Sequence, residues 1–218
     1  MQDVPDWLVG VWRRRLIAFP DGREDRTTTV FWLQTRSAFA DIRLPQESLA
    51  LPKLPRSALP AEALPVLARQ DGFAGHTTLD GDLCTWNRWI SYRPPGPTPD
   101  AGRLRLEGGL LIEEGVHSAY REDWERLDDG AEGTMAFAGI GGPSRLLVRV
   151  GRHFIRIEAR NPVSYEPGCV IDYGQVAATG EWRITLSTEP DRAGGAFGLQ
   201  PDGEGAVESG TGLRWVPL

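Results

Sequence analysis

Hydrophobic and polar positions alternate along most of this chain, in short runs separated by glycine and proline. The sharpest run lies at 102–127. Leu104 and Leu106 alternate with Arg103, Arg105 and Glu107, Gly108-Gly109 turns the chain, and residues 110–114 return. Two residues free to adopt positive φ between alternating runs predict a tight β-hairpin. Its register sets Glu107 opposite Leu110 and Leu106 opposite Leu111. The face carrying Leu104, Leu106 and Leu111 then also carries Glu113. A carboxylate on an apolar face must be paired or functional, because burying it alone is expensive. A second hairpin spans 145–160: Leu146, Val148 and Val150 share a face, Gly151-Arg152 turns, and His153, Ile155 and Ile157 return with His153 opposite Val150.

Runs at 11–19, 26–35, 39–44, 73–79, 83–93, 133–140, 170–177, 181–188 and 213–216 read as further strands. In the run at 181–188, Trp182, Ile184 and Leu186 point inward. Two patterns compete over 118–127. A bulge near 115–118 followed by a strand puts Tyr120, Glu122 and Trp124 on the inner face. Tyr120, Trp124 and Leu127 also fall at helical spacing behind Ser118 as a cap. Of the two, the strand is favoured. Residues 45–72 break the rhythm with five prolines, leucines between them and a short helix over 61–70. Such an insertion is either a lid over a barrel mouth or a surface loop.

These elements make an all-β, antiparallel, closed architecture. The 218 residues suit a single domain over 1–218, with a candidate lobe boundary at 128–132. The net charge of −6 argues against a nucleic-acid partner. Within Arg13-Arg14-Arg15, alternation sends two arginines to solvent and one inward. Cys84 and Cys169 make neither a metal motif nor a disulfide framework, which points to a reduced, cytoplasmic protein. No signal peptide is read in the first residues, and no apolar run is long enough to span a membrane, so no membrane partner is expected.

Gly10-Val11-Trp12, at the start of the first strand, resembles the G-x-W signature of lipocalins and the wider calycin barrels. Asp172-Tyr173 resembles the family's second motif, with Ile171 where Thr is usual. The resemblance implies an up-and-down antiparallel barrel enclosing a ligand cavity, and the departures from the family's pattern, with motifs farther apart than in a plain lipocalin, leave open a larger barrel or two fused ones. It also implies that Trp12 closes the base beneath an arginine from a late strand, Arg183 or Arg214.

On the alternation, Trp12, Arg14, Leu16 and Ala18 share one face of the first strand, and Val30, Trp32 and Gln34 one face of the second. Cys84, Trp86, Arg88, Ile90 and Tyr92 share a face of the run at 83–93. The candidate ligand-binding residues are therefore Arg14, Trp32, Gln34, Trp86, Arg88 and Trp124. The candidate acid–base residues are Glu113, Glu122, Tyr120 and His117. Arg88 paired with Glu122 or Glu113 is either a structural ion pair or a polar anchor. His76, His117 and His153 lack metal-ligand spacing, so no metal is expected. One histidine as a haem ligand is a minor alternative; otherwise no cofactor is called for. Two functions follow: a barrel binding a small, largely apolar ligand with an acidic or polar end, or a cofactor-independent isomerase, cyclase, hydratase or lyase in the same cavity. The oligomeric state and the ligand's identity are not legible.

Overall fold

A computed structural model describes residues 4–140, 144–160, 168–202 and 205–218. Its first half is a run of antiparallel strands: β1 (Gly10–Ala18), the two-residue β2 (Glu24–Asp25), β3 (Thr29–Gln34), β4 (Phe39–Leu44), β5 (Phe73–Asp80), β6 (Leu83–Ser91), β7 (Ala101–Glu107), β8 (Leu110–Gly115) and β9 (Arg121–Asp128). Each of β3 to β9 pairs with its chain neighbour, β1 pairs with β3, and β9 returns to β1. Eight strands therefore close into an up-and-down barrel, with β2 as a short flap on β1. The strand reading of 118–127 holds, because β9 pairs Glu122 with Glu113 and Trp124 with Leu111. The Gly108-Gly109 hairpin has the expected register, Glu107 opposite Leu110.

The second half forms an open sheet from β10 (Thr134–Gly139), β11 (Arg145–Val150), β12 (His153–Ala159), β13 (Cys169–Val176), β14 (Trp182–Ser187), β15 (Leu199–Asp202), β16 (Gly205–Glu208) and β17 (Arg214–Pro217). Its order is β14-β13-β12-β11-β10-β17-β16-β15, a half-barrel. The β11–β12 hairpin sets Val150 opposite His153, as its alternation requires. The β15–β16 hairpin sits inside a glycine-rich stretch where alternation is too weak to show it.

Three apolar layers hold the molecule together. Trp12, Val30, Trp32, Phe39, Phe73, Trp86, Leu111 and Trp124 fill part of the barrel. Leu33, Ala40 and Ile42 point outward from the barrel and pack against Leu146, Val148, Ile155 and Ile157 of the half-barrel. Phe154, Ile184, Phe197 and Trp215 form a third cluster with Leu147, on the other face of that sheet. Trp182 and Ile184 pack in this third cluster while Leu186 packs in the middle one, so the three do not share a face as alternation predicted. The register shift opposite Tyr173 and Gly174 is the cause, since an extra residue in one strand reverses sidedness.

The insertion at 45–72 holds three 3₁₀ turns and one four-residue helix, α1 (Leu64–Leu67), with Pro65 tolerated in its first turn. Arg56 straps it down by donating to Tyr92 Oη at 3.0 Å and to Glu189 Oε1 at 3.3 Å.

Candidate functional site

The end of the barrel where β1 begins is sealed. A Cβ on Gly10 would stand 2.8 Å from the Asp128 carbonyl oxygen, so only glycine lets β1 and β9 approach this closely. Two residues on, Trp12 is fully buried and donates its indole N–H to Leu8 O at 2.9 Å. The Arg126 guanidinium lies 4.5 Å from the Trp12 ring centroid and donates to Trp7 O. Arg126 on β9 thus takes the part expected of Arg183 or Arg214, whose side chains are both more than half exposed on the other sheet. Asp172-Tyr173 also lies on that sheet, where Tyr173 stacks on Phe31 with centroids 4.2 Å apart. Eight strands closed up and down, with a G-x-W tryptophan under an arginine of the last strand, decide the fold.

The barrel is lipocalin-like. No family model matches the sequence, and no curated protein matches it. Among solved structures, an uncharacterized protein of Saccharomyces cerevisiae, YLR301w, is 13% identical and superposes with a TM-score of 0.66 over 95% of this chain and 97% of that one. A lipocalin-like protein from Bacteroides uniformis is 15% identical, with a TM-score of 0.37 over 56% of this chain and all of that one.

The opposite half of the lipocalin-like barrel holds a cavity of about 140 Å³. Trp32, Trp86, Trp124, Phe39, Phe73 and Ile17 form its apolar wall, and Asp41, Arg43, Asp100, Glu113, Tyr120 and Glu122 its polar wall. Trp32 meets Trp86 and Trp124 edge-on, at 5.6 and 5.7 Å between centroids. Six of the ten sequence-derived candidates line this space: Glu113, Glu122, Tyr120, Trp32, Trp86 and Trp124. Arg14 stands directly behind it, ion-paired to Glu122 at 2.7 Å. Arg88 reaches the rim, where it pairs with Asp100 at 2.5 Å and lies 3.5 Å from the Phe73 centroid. Gln34 is buried below, holding Thr35 O and Thr77 Oγ1. His117 sits in the outer groove with residues 95–99, and that groove shares Trp86, Asp100 and Tyr120 with the cavity. No residue of 45–72 lines the cavity, so the insertion is the surface loop of the two readings and not the lid.

One expectation about pairing and one about sidedness are corrected. Arg88 meets neither Glu113 nor Glu122; Glu122 belongs to Arg14, because both emerge from β1 and β9 side by side. Leu16 and Ala18 do not continue the inner face of β1. The register shift between Arg14 and Leu16 turns Ile17 inward, opposite Glu122. The sequence reading missed Asp41, Arg43 and Asp100 altogether. A strand with Ala40, Ile42 and Leu44 on one face suggests solvent for Asp41 and Arg43, and only the second sheet, which claims the aliphatic face, turns them into the barrel.

Glu113 differs from the other carboxylates of the wall. Tyr120 Oη donates to its Oε1 at 2.7 Å and Trp124 Nε1 to its Oε2 at 3.2 Å, both neutral donors. Burial and then the nearby Glu122 charge push its pKa up, to about 8, against the Tyr120 hydrogen bond. Asp41 is also raised by burial, to about 6, although Arg43 pairs with it at 2.7 Å. The Tyr120 hydroxyl is raised, by burial first and then by Glu113. None of the three histidines lines the cavity, and its volume suits a single ring, so the site does not fit a haem. Among the described residues no cluster of metal-ligating side chains occurs, and no helix is long and apolar enough to cross a membrane.

Proposed function

We propose that this protein is a ligand-binding barrel whose cavity takes one small, largely apolar molecule with a polar end. The observation that carries this reading is the lining itself: Trp32 edge-on to both Trp86 and Trp124, with two phenylalanines, around a space beside a buried carboxyl group. Six of its twelve lining residues are apolar and six polar, so an aromatic wall faces the body of a guest and a polar wall faces its end. The size limits the guest, since an apolar cavity of roughly 150 Å³ accommodates a molecule like benzene. Both cysteines are free and buried, in keeping with a reducing, cytoplasmic setting. Neither nucleic acid nor membrane is part of this reading. Native mass spectrometry of the purified protein should find a small co-purifying molecule, released by Trp32→Ala; repeated recovery of bare protein would count against it.

One observation favours a second reading, acid–base catalysis in the same space. Glu113 and Glu122 are cross-strand neighbours, yet among the described residues only Glu122 has an arginine partner. Neighbouring carboxyl groups in unlike surroundings, one ion-paired and one not, are the usual equipment for proton transfer. Conversion of the co-purifying molecule during incubation, stopped by Glu122→Gln while the molecule stays bound, would replace the first reading with this one.

A further inference from the structure

The carboxyl groups around the cavity outnumber the arginines that meet them. Four carboxyl groups reach its wall: Asp41, Asp100, Glu113 and Glu122. Three arginines meet three of them, Arg43 on Asp41 at 2.7 Å, Arg88 on Asp100 at 2.5 Å and Arg14 on Glu122 at 2.7 Å. Arg14 is further shared with Asp25 at 3.4 Å. Among the described residues Glu113 has no cationic partner and only neutral hydrogen-bond donors. An incoming anion would find every guanidinium engaged and two glutamates ahead of it.

The rest of the wall points the same way. Indole rings present negative faces and hold cations over them. The wall already uses this contact, since the Arg88 and Arg43 guanidiniums lie 3.5 and 4.8 Å from the Phe73 centroid. Trp32, only 2% exposed, has an indole N–H without a partner among the described residues. A buried donor of this kind costs free energy until an acceptor meets it.

We infer that the polar end of the ligand is a cation, an organic ammonium group seated between Glu113 and the tryptophan rings, with a hydrogen-bond acceptor close to the charge. The inference rests on the ligand-barrel reading and adds the chemical class. As the ammonium enters, Glu113 gives its proton to solvent, and the ion pair so formed supplies the charge recognition; the rings supply shape and cation–π attraction, and an ether, hydroxyl or carbonyl oxygen on the ligand satisfies Trp32.

Calorimetry with three probes of equal size tests it: benzylammonium, benzyl alcohol and benzoate. Benzylammonium should bind about tenfold tighter than benzyl alcohol, with benzoate weakest. In Glu113→Gln, checked for folding by circular dichroism, that preference should disappear. Benzyl alcohol or benzoate binding as well as or better than the cation overturns the inference and leaves the ligand-barrel reading standing. Binding of none of the three also overturns it, and the wider reading is then decided by the co-purification experiment alone.

Discussion

Arg14 stands between two arginines whose side chains are more than half exposed, and its own is 6% exposed. Strand alternation is the whole reason. Removing Arg14 leaves Glu122, 3% exposed, without its partner. Arg14→Met should therefore destabilise the protein by about 3–5 kcal/mol. Arg13→Met and Arg15→Met should stay within about 0.5 kcal/mol, as surface changes do. Urea denaturation of the three variants measures the difference. Glu113 and Asp41 make a second prediction. Both have folded pKa values above their ordinary ones, Glu113 at about 8 against 4.5 and Asp41 at about 6 against 3.8. The folded state holds these protons more tightly than the unfolded chain, so the stability they confer is complete below pH 4 and is lost as pH rises through 6 and then 8. The melting temperature should fall across that window, and Glu113→Gln should flatten the part between pH 6 and 8.

Two hairpin turns distinguish conformational strain from crowding. Gly108 has φ of 59°, with open space where a Cβ would stand. Gly108→Ala should cost about 1 kcal/mol, the left-handed penalty alone. Gly151 has φ of 53°, and its Cβ would stand 2.1 Å from the Asp128 carboxylate, which holds the Gly130 amide at 2.8 Å. Gly151→Ala should cost about 1 kcal/mol more, because that turn hydrogen bond must give way. The same scale shows what alternation can reveal. Hairpins closed by glycine were legible to the residue, as Leu106 opposite Leu111 and Val150 opposite His153 show. Sidedness failed where a strand carries an extra residue. On β6, Cys84 and Trp86 face the barrel interior while Ile90, and Tyr92 just beyond the strand, face the half-barrel, across the register shift at Ala74 and Gly75. A bulge has no composition of its own, so the misplacements of Ile90, Leu16 and Leu186 share one physical origin.

Over the whole molecule, the barrel's outer face is as buried as its inner one along β3 and β4, because the half-barrel covers Leu33, Ala40 and Ile42. One shared layer should make the two halves unfold together. Ile42→Ala should lower stability by about 2–5 kcal/mol within a single transition. A chain ending at residue 130 would expose this layer and should aggregate, which light scattering would show. The layer also explains why Asp41 and Arg43 were invisible to pattern: a strand buried on both faces cannot announce which face holds the chemistry. The barrel's tryptophans carry one more consequence. Trp12 lies 6.3 Å from Trp32, which touches both Trp86 and Trp124, so an indole column runs from the sealed end into the cavity wall. Excited-state energy passes readily among indoles this close. A guest arriving at the upper rings would alter the ultraviolet emission of the whole set, giving the protein an intrinsic, label-free gauge of its own occupancy.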